Sequence, residues 1–269
     1  MNTTIEKPVS DFDYTEYQAR QQYAVTSDNI HLQSHALRNS DKFVFDGDKW
    51  IIKPYHGFAV VSMVANNPFN DDLVDFLNSI NHYLNERLNK QQTYFILPED
   101  SYHQTVANTL SDTRYFENIV KRGILNQYPD MIREAFGKIK LCNINNPLKM
   151  QMTGLNVFGS CLAVLGTFSE ESDYSAISGF RNQFYGNPEM KQADVRWTRP
   201  FVGHTTLAYL GRAINTEERT LLANTINDIN SSYNWEKAVF HIAKAELRSY
   251  TDLSSFETEP NYPIFNFVK

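Results

Sequence analysis

The chain has 269 residues, a formal net charge of −6, 42% hydrophobic residues and 21% charged residues. These globular proportions exclude a disordered or fibrous class, and the acidic balance excludes the broad basic face that duplex DNA requires. No run approaches the roughly 18 apolar residues of a membrane span, and MNTTIEKPVSDFDYTEYQARQQ lacks the apolar stretch of a secretory signal, so a soluble cytoplasmic protein is expected.

In chain order, residues 1–40 are polar and weakly periodic and read as an irregular arm, with a short helix near Tyr14–Tyr23. A single compact α+β unit of two lobes is expected over 41–269. It begins with FVFDGDKWIIK, where Asp46-Gly47 between two β-rich runs marks a hairpin. GFAVVSMV (57–64) is a continuous apolar run, as in a strand buried on both faces. Asn66-Asn67-Pro68 is a turn. Leu73, Phe76, Leu77, Ile80, Leu84 and Leu88 then recur at helical steps, capped by Asn70 or Asp71. TYFILPED reads as a strand. Phe116, Ile119, Val120, Ile124, Tyr128, Ile132, Phe136 and Ile139 mark a second helical stretch, interrupted near Pro129. LKMQMTGLNVFG and SCLAVLGTF form a hairpin, followed by a helix over 172–184. HTTLAYL is a strand, and 215–229 a helix with Asn215 and Glu218 at capping-box spacing. AVFHIAKAELRSYTDL and YPIFNFV end the chain as strands.

One feature rises above this pattern. SYHQTVANTL contains HQTVA, and RPFVGHTTLAYLG contains HTTLA about a hundred residues later. With seven histidines in the chain, chance supplies less than one His-x-Thr, and two occur, at His103/Thr105 and His204/Thr206. A strand has a side-chain period of two. His103 and Thr105 therefore share one face, as do His204 and Thr206, while Gln104, Val106, Thr205 and Leu207 turn the other way into packing. If the two strands lie side by side, two imidazoles and two hydroxyls converge. A neutral imidazole can take a proton from water and a protonated one can give a proton to a leaving alkoxide. The hydroxyls can hold the non-bridging oxygens of a phosphodiester. Which histidine is acid and which is base stays open. Cys142 and Cys161 have no zinc-ligand spacing, and the chemistry calls for neither a metal nor another cofactor.

The paired motifs, the first after LPEDSY and the second within RPFVGHTTLAYLG, resemble the 2H phosphoesterase superfamily, which includes 2′-5′ RNA ligase-like proteins and cyclic phosphodiesterases. The chain is more similar to an uncharacterised bacterial branch than to the RNA ligase-like enzymes. The resemblance runs from about residue 43 to the C-terminus. It implies a bilobal α+β fold, two pseudo-repeated α/β lobes with antiparallel sheets lining a central cleft. It also implies catalysis by His103 and His204, phosphate binding by Thr105 and Thr206, and metal-independent hydrolysis of a cyclic phosphate or a 2′-5′ bond. The expected partner is a small nucleotide or an RNA end. The arm before residue 40 and the Thr113–Leu141 segment exceed a minimal member.

Neighbouring residues carry two readings each. Arg196 and Arg199 in VRWTRPF are phosphate guides by bidentate contact or surface charges. Tyr102 and Tyr209 flank the motifs and either stack on a base or pack in the core. Tyr55-His56 lies at the cleft mouth or before an ordinary strand, while His31, His35, His82 and His241 show no partner pattern. Two other classes also fit the sequence. One is a module that binds a nucleotide or RNA without turning it over. The other is an interaction protein in which the N-terminal arm and Thr113–Leu141 make contacts.

Overall fold

The computed structural model describes residues 10–65 and 67–268. Asn66, one of the residues of the expected Asn-Asn-Pro turn, lies outside them, while the Asn67 side chain accepts from the Phe69 amide at the start of a short 3-10 turn. The fold is α+β with antiparallel sheets. The strands are β1 (Phe43–Phe45), β2 (Trp50–Ile52), β3 (Gly57–Met63), β4 (Tyr94–Ile96), β5 (His103–Ser111), β6 (Leu148–Phe158), β7 (Cys161–Phe168), β8 (His204–Leu210), β9 (Val239–Ile242), β10 (Lys244–Tyr250) and β11 (Ile264–Asn266). The helices are α1 (Tyr14–Ala24), α2 (Ser27–Ala36), α3 (Asp71–Leu88), α4 (Thr113–Tyr115), α5 (Tyr128–Lys138), α6 (Glu171–Gly186), α7 (Pro188–Gln192) and α8 (Thr216–Ser232).

β1 and β2 form the expected hairpin, with the Asp46 carboxylate accepting from the Asp48 and Lys49 amides and Gly47 at φ 104°. A four-stranded sheet runs β11-β10-β3-β5 and a five-stranded sheet runs β4-β8-β7-β6-β9. Every residue of β3 is buried, which explains its uninterrupted apolar sequence. The β6–β7 turn is made by Gly159 and Ser160, with Gly159 at φ +60°. The stretch AVFHIAKAEL, continuous in sequence, is divided at Ala243: β9 completes one sheet and β10 enters the other.

The helices follow their apolar spacing with two departures. Asn70 precedes α3 but makes no side-chain cap; its carboxamide instead pairs with both backbone groups of His241 in β9. The stretch after β5 is divided into α4, a π-helical turn over Phe116–Val120 and α5, with Pro129 in the first turn of α5, where its missing N–H costs nothing. The capping box at Asn215 and Glu218 forms on both sides.

Of the arm expected over 1–40, residues 1–9 lie outside the described residues; in the rest the short helix expected near Tyr14–Tyr23 is α1, and the remainder is more ordered than expected. Residues 14–36 form two helices, and Tyr17, Ile30 and Leu37 are buried in the main core. The buried side of these helices also carries Gln21, Asn29 and Ser34, so no apolar stripe announces them. The burial of Tyr17 and Gln21 is offset by hydrogen bonds: Tyr17 donates to the Gly166 carbonyl, and Gln21 donates to those of Gly166 and Gly203.

Among the described residues no helix is long and apolar enough to cross a membrane.

Candidate active site

β5 and β8 lie in different sheets yet contact one another, and the two motifs meet in a cleft of about 270 Å³. His103, Thr105, His204 and Thr206 all line it, together with Arg199 and Tyr209. As the alternation of the strands requires, Gln104, Val106, Thr205 and Leu207 are buried on the opposite side.

Each strand carries an irregularity just past its threonine. In β5 the register shifts between Thr105 and Ala107, and in β8 between Thr206 and Ala208. Val106 and Leu207 are the extra residues of these bulges. A bulge reverses the alternation beyond it, so Asn108 and Tyr209, each five residues past its histidine, come round to the cleft. The Asn108 carboxamide and the Thr105 hydroxyl have no hydrogen-bond partner among the described residues.

The histidines are held alike. His103 donates Nδ1–H to the Ser101 carbonyl at 2.7 Å, and His204 donates Nδ1–H to the Val202 carbonyl at 2.9 Å. A carbonyl can only accept, so Nδ1 carries the proton in both neutral rings and Nε2 is left as the acceptor. Burial lowers both imidazoles to about 4 against the opposing backbone hydrogen bond at each, and at His204 the Arg199 guanidinium and, after it, His103 also lower the value. Desolvation disfavours the charged ring, so both are neutral at pH 7 in the empty cleft.

Arg199 is exposed and makes no ion pair among the described residues. Among the described residues of the lining it is the only one with a formal charge. Its backbone is fixed from behind: the buried Arg181 donates to the Arg199 and Val106 carbonyls and pairs with Asp11 at 2.9 Å, and Asp11 accepts from the Phe201 amide. Gly203 follows, and a Cβ there would collide with the Gly166 carbonyl.

The remaining candidates fall elsewhere. Tyr102 is buried and its hydroxyl bonds Asn81 and Asn78, away from the cleft. Arg196 sits on the surface beside Asp194 at 3.3 Å. His56 packs against Tyr115 and Phe116 in a neighbouring pocket, although Tyr55 beside it does line the cleft and shares a 3.2 Å hydrogen bond with Ser111.

Sequence reasoning missed the wall made by Tyr250, Leu253 and Phe256. The Phe256 ring centroid lies 4.1 Å from that of His103. Its loop is tied down by Arg248, which donates to the Phe256 carbonyl while paired with Glu246. Nothing in the spacing of these residues marks them. Among the described residues no group of three or more His, Cys, Asp or Glu is arranged to hold a metal ion.

Neither a protein-family model nor a curated protein matches the chain. Among solved structures, it is similar to the conserved protein of unknown function ATU0111 from Agrobacterium tumefaciens str. C58. The TM-score is 0.58 at 15% identity, covering 91% of this chain and 97% of that one. TT0787 of Thermus thermophilus matches at a TM-score of 0.39 and 12% identity, covering 79% and 95% of the two chains. The likeness to ATU0111 is one of fold.

Proposed function

We propose that the cleft is the active site of a metal-independent phosphodiesterase of the 2H type, built from two pseudo-repeated lobes, and that it hydrolyses a cyclic phosphate or a 2′-5′ diester in a nucleotide or RNA end. The observation that carries this reading is the matched pair of histidines, both with Nδ1 on a carbonyl and Nε2 free, in one cleft with two threonine hydroxyls and an unpaired arginine. The matching bulges in β5 and β8 support the pseudo-repeat.

In this mechanism the diester anion lies between Thr105, Thr206 and Arg199, which hydrogen-bond its non-bridging oxygens. The anion favours the charged form of an imidazole, so binding raises the histidines from about 4 and one becomes protonated. The neutral ring takes a proton from water at Nε2 as the water oxygen bonds phosphorus. The opposite P–O bond breaks, and the protonated ring gives its Nε2 proton to the departing alkoxide. The aromatic wall of Tyr209, Tyr250 and Phe256 offers stacking surface to a base.

His103→Ala or His204→Ala is expected to lower turnover by about 10²-fold or more; full activity in both would sink the mechanism. One feature favours a second reading, a module that binds without turnover: burial lowers both rings to about 4, so neither histidine of the resting cleft carries the proton of a general acid at neutral pH. Calorimetry and phosphorus NMR on the same ligand separate the two, because the module would show heat of binding and no product.

A further inference from the structure

We infer that Gln104, the residue between the histidine and threonine of the first motif, is a positioning residue for the histidine of the second. Its carboxamide is fully buried. The amide oxygen accepts from the His204 backbone N–H at 2.6 Å, and the amide nitrogen donates to the Val202 carbonyl at 3.2 Å and to the Thr105 carbonyl at 2.8 Å. A donor–acceptor pair spanning residues 202 and 204 is what a neighbouring strand would present to the edge of β8. β4 supplies that strand only beside Leu207–Leu210. Beyond the end of β4 the Gln104 side chain takes over, so one side chain of the first motif extends the sheet of the second.

The Val202 carbonyl is also the acceptor of His204 Nδ1–H. Gln104 therefore fixes the group that fixes the ring. His103 has no such dependence. Its acceptor, the Ser101 carbonyl, belongs to the Glu99–Ser101 turn, which is closed locally by bonds to Pro98 and from Tyr102 to Glu99. The equivalent position of the second motif, Thr205, has a buried hydroxyl with no partner among the described residues, so the clamp runs one way only. Its consequence for catalysis rests on the proposed acid–base role of His204, but its structural effect does not.

The test is long-range proton–nitrogen NMR of the histidine rings in the substrate-free protein, comparing wild type, Q104M and Q104E. Methionine keeps the volume and removes every bond; glutamate keeps an acceptor for the His204 amide and loses the donor to Val202. Wild type is expected to show both rings as the Nδ1–H tautomer. In Q104M the His204 signal is expected to move toward a tautomer mixture while His103 stays unchanged, with Q104E intermediate. With a turned-over substrate, Q104M should lose about tenfold to a hundredfold in kcat with little change in KM.

An unchanged His204 tautomer in a folded variant overturns the inference, as does an equal change in both histidines, which would mean general loosening. If neither variant folds, hydrogen exchange of the wild type decides. The His204 amide should be as protected as those of Ala208–Leu210, and rapid exchange would overturn the clamp. A wild type that cleaves no diester would remove the catalytic reading and leave the tautomer result standing.

Discussion

His103 and His204 hold their protons on the inner nitrogen because each finds a carbonyl two residues back along the chain. That leaves two acceptor nitrogens in a cleft whose nearby fixed charge is Arg199. An oxyanion entering it should raise both rings from about 4 toward the ordinary imidazole value of about 6.5. Titrating sulfate into the protein while following the histidine ring signals between pH 4 and 7 checks this; apparent values independent of sulfate would place the anion elsewhere. At this scale the four motif residues were legible because five-letter strings repeat. Tyr102 and Tyr209 were not separable by proximity. Strict alternation puts both on the face opposite their histidines, and only the bulge at Leu207 returns Tyr209 to the cleft. Gln104 was legible merely as inward-facing, since nothing in sequence tells a packed side chain from one that reaches another strand.

Among elements, the junction before β8 depends on groups far apart in the chain. Arg181 of α6 holds carbonyls on both sides of the cleft, in Val106 and Arg199, and its charge is balanced by Asp11 among the rings of Tyr185, Trp197 and Phe201. Removing one partner of a buried pair strands the other. Arg181→Ala is therefore expected to destabilise the protein by about 3–5 kcal/mol, read as a lower denaturation midpoint, while replacing Asp11 and Arg181 together by apolar residues of similar volume costs less. A change under about 1 kcal/mol in the single variant would show that the pair is screened like a surface bridge. Strongly periodic α3, α5 and α8 and the Gly-marked hairpins were legible from pattern. α1 was legible as a short helix, but α2 and the docking of both helices on the core were not, because their buried sides mix Tyr17 and Ile30 with Gln21, Asn29 and Ser34. The division at Ala243 was hidden because one apolar run serves two sheets.

For the whole molecule, the buried histidines tie stability to pH. Below about 6.5 the unfolded chain protonates these rings, while the folded one resists until about 4. Their contribution is thus complete above pH 6.5 and is lost as pH falls through the window to 4. Replacing both by alanine should reduce the proton uptake on unfolding in that window by up to about two, measured as a flatter dependence of unfolding free energy on pH. An identical slope in wild type and double variant would mean that the rings are solvated.

The proposed function itself is tested most directly by phosphorus NMR on 2′,3′-cyclic nucleotides, 3′,5′-cyclic nucleotides and 2′-5′ oligonucleotides, each incubated with wild type and with the H103A/H204A double variant. Turnover of at least one class to a phosphomonoester by wild type, abolished in the folded double variant, is the expected result. Equal product in both proteins, or none in either, would contradict it.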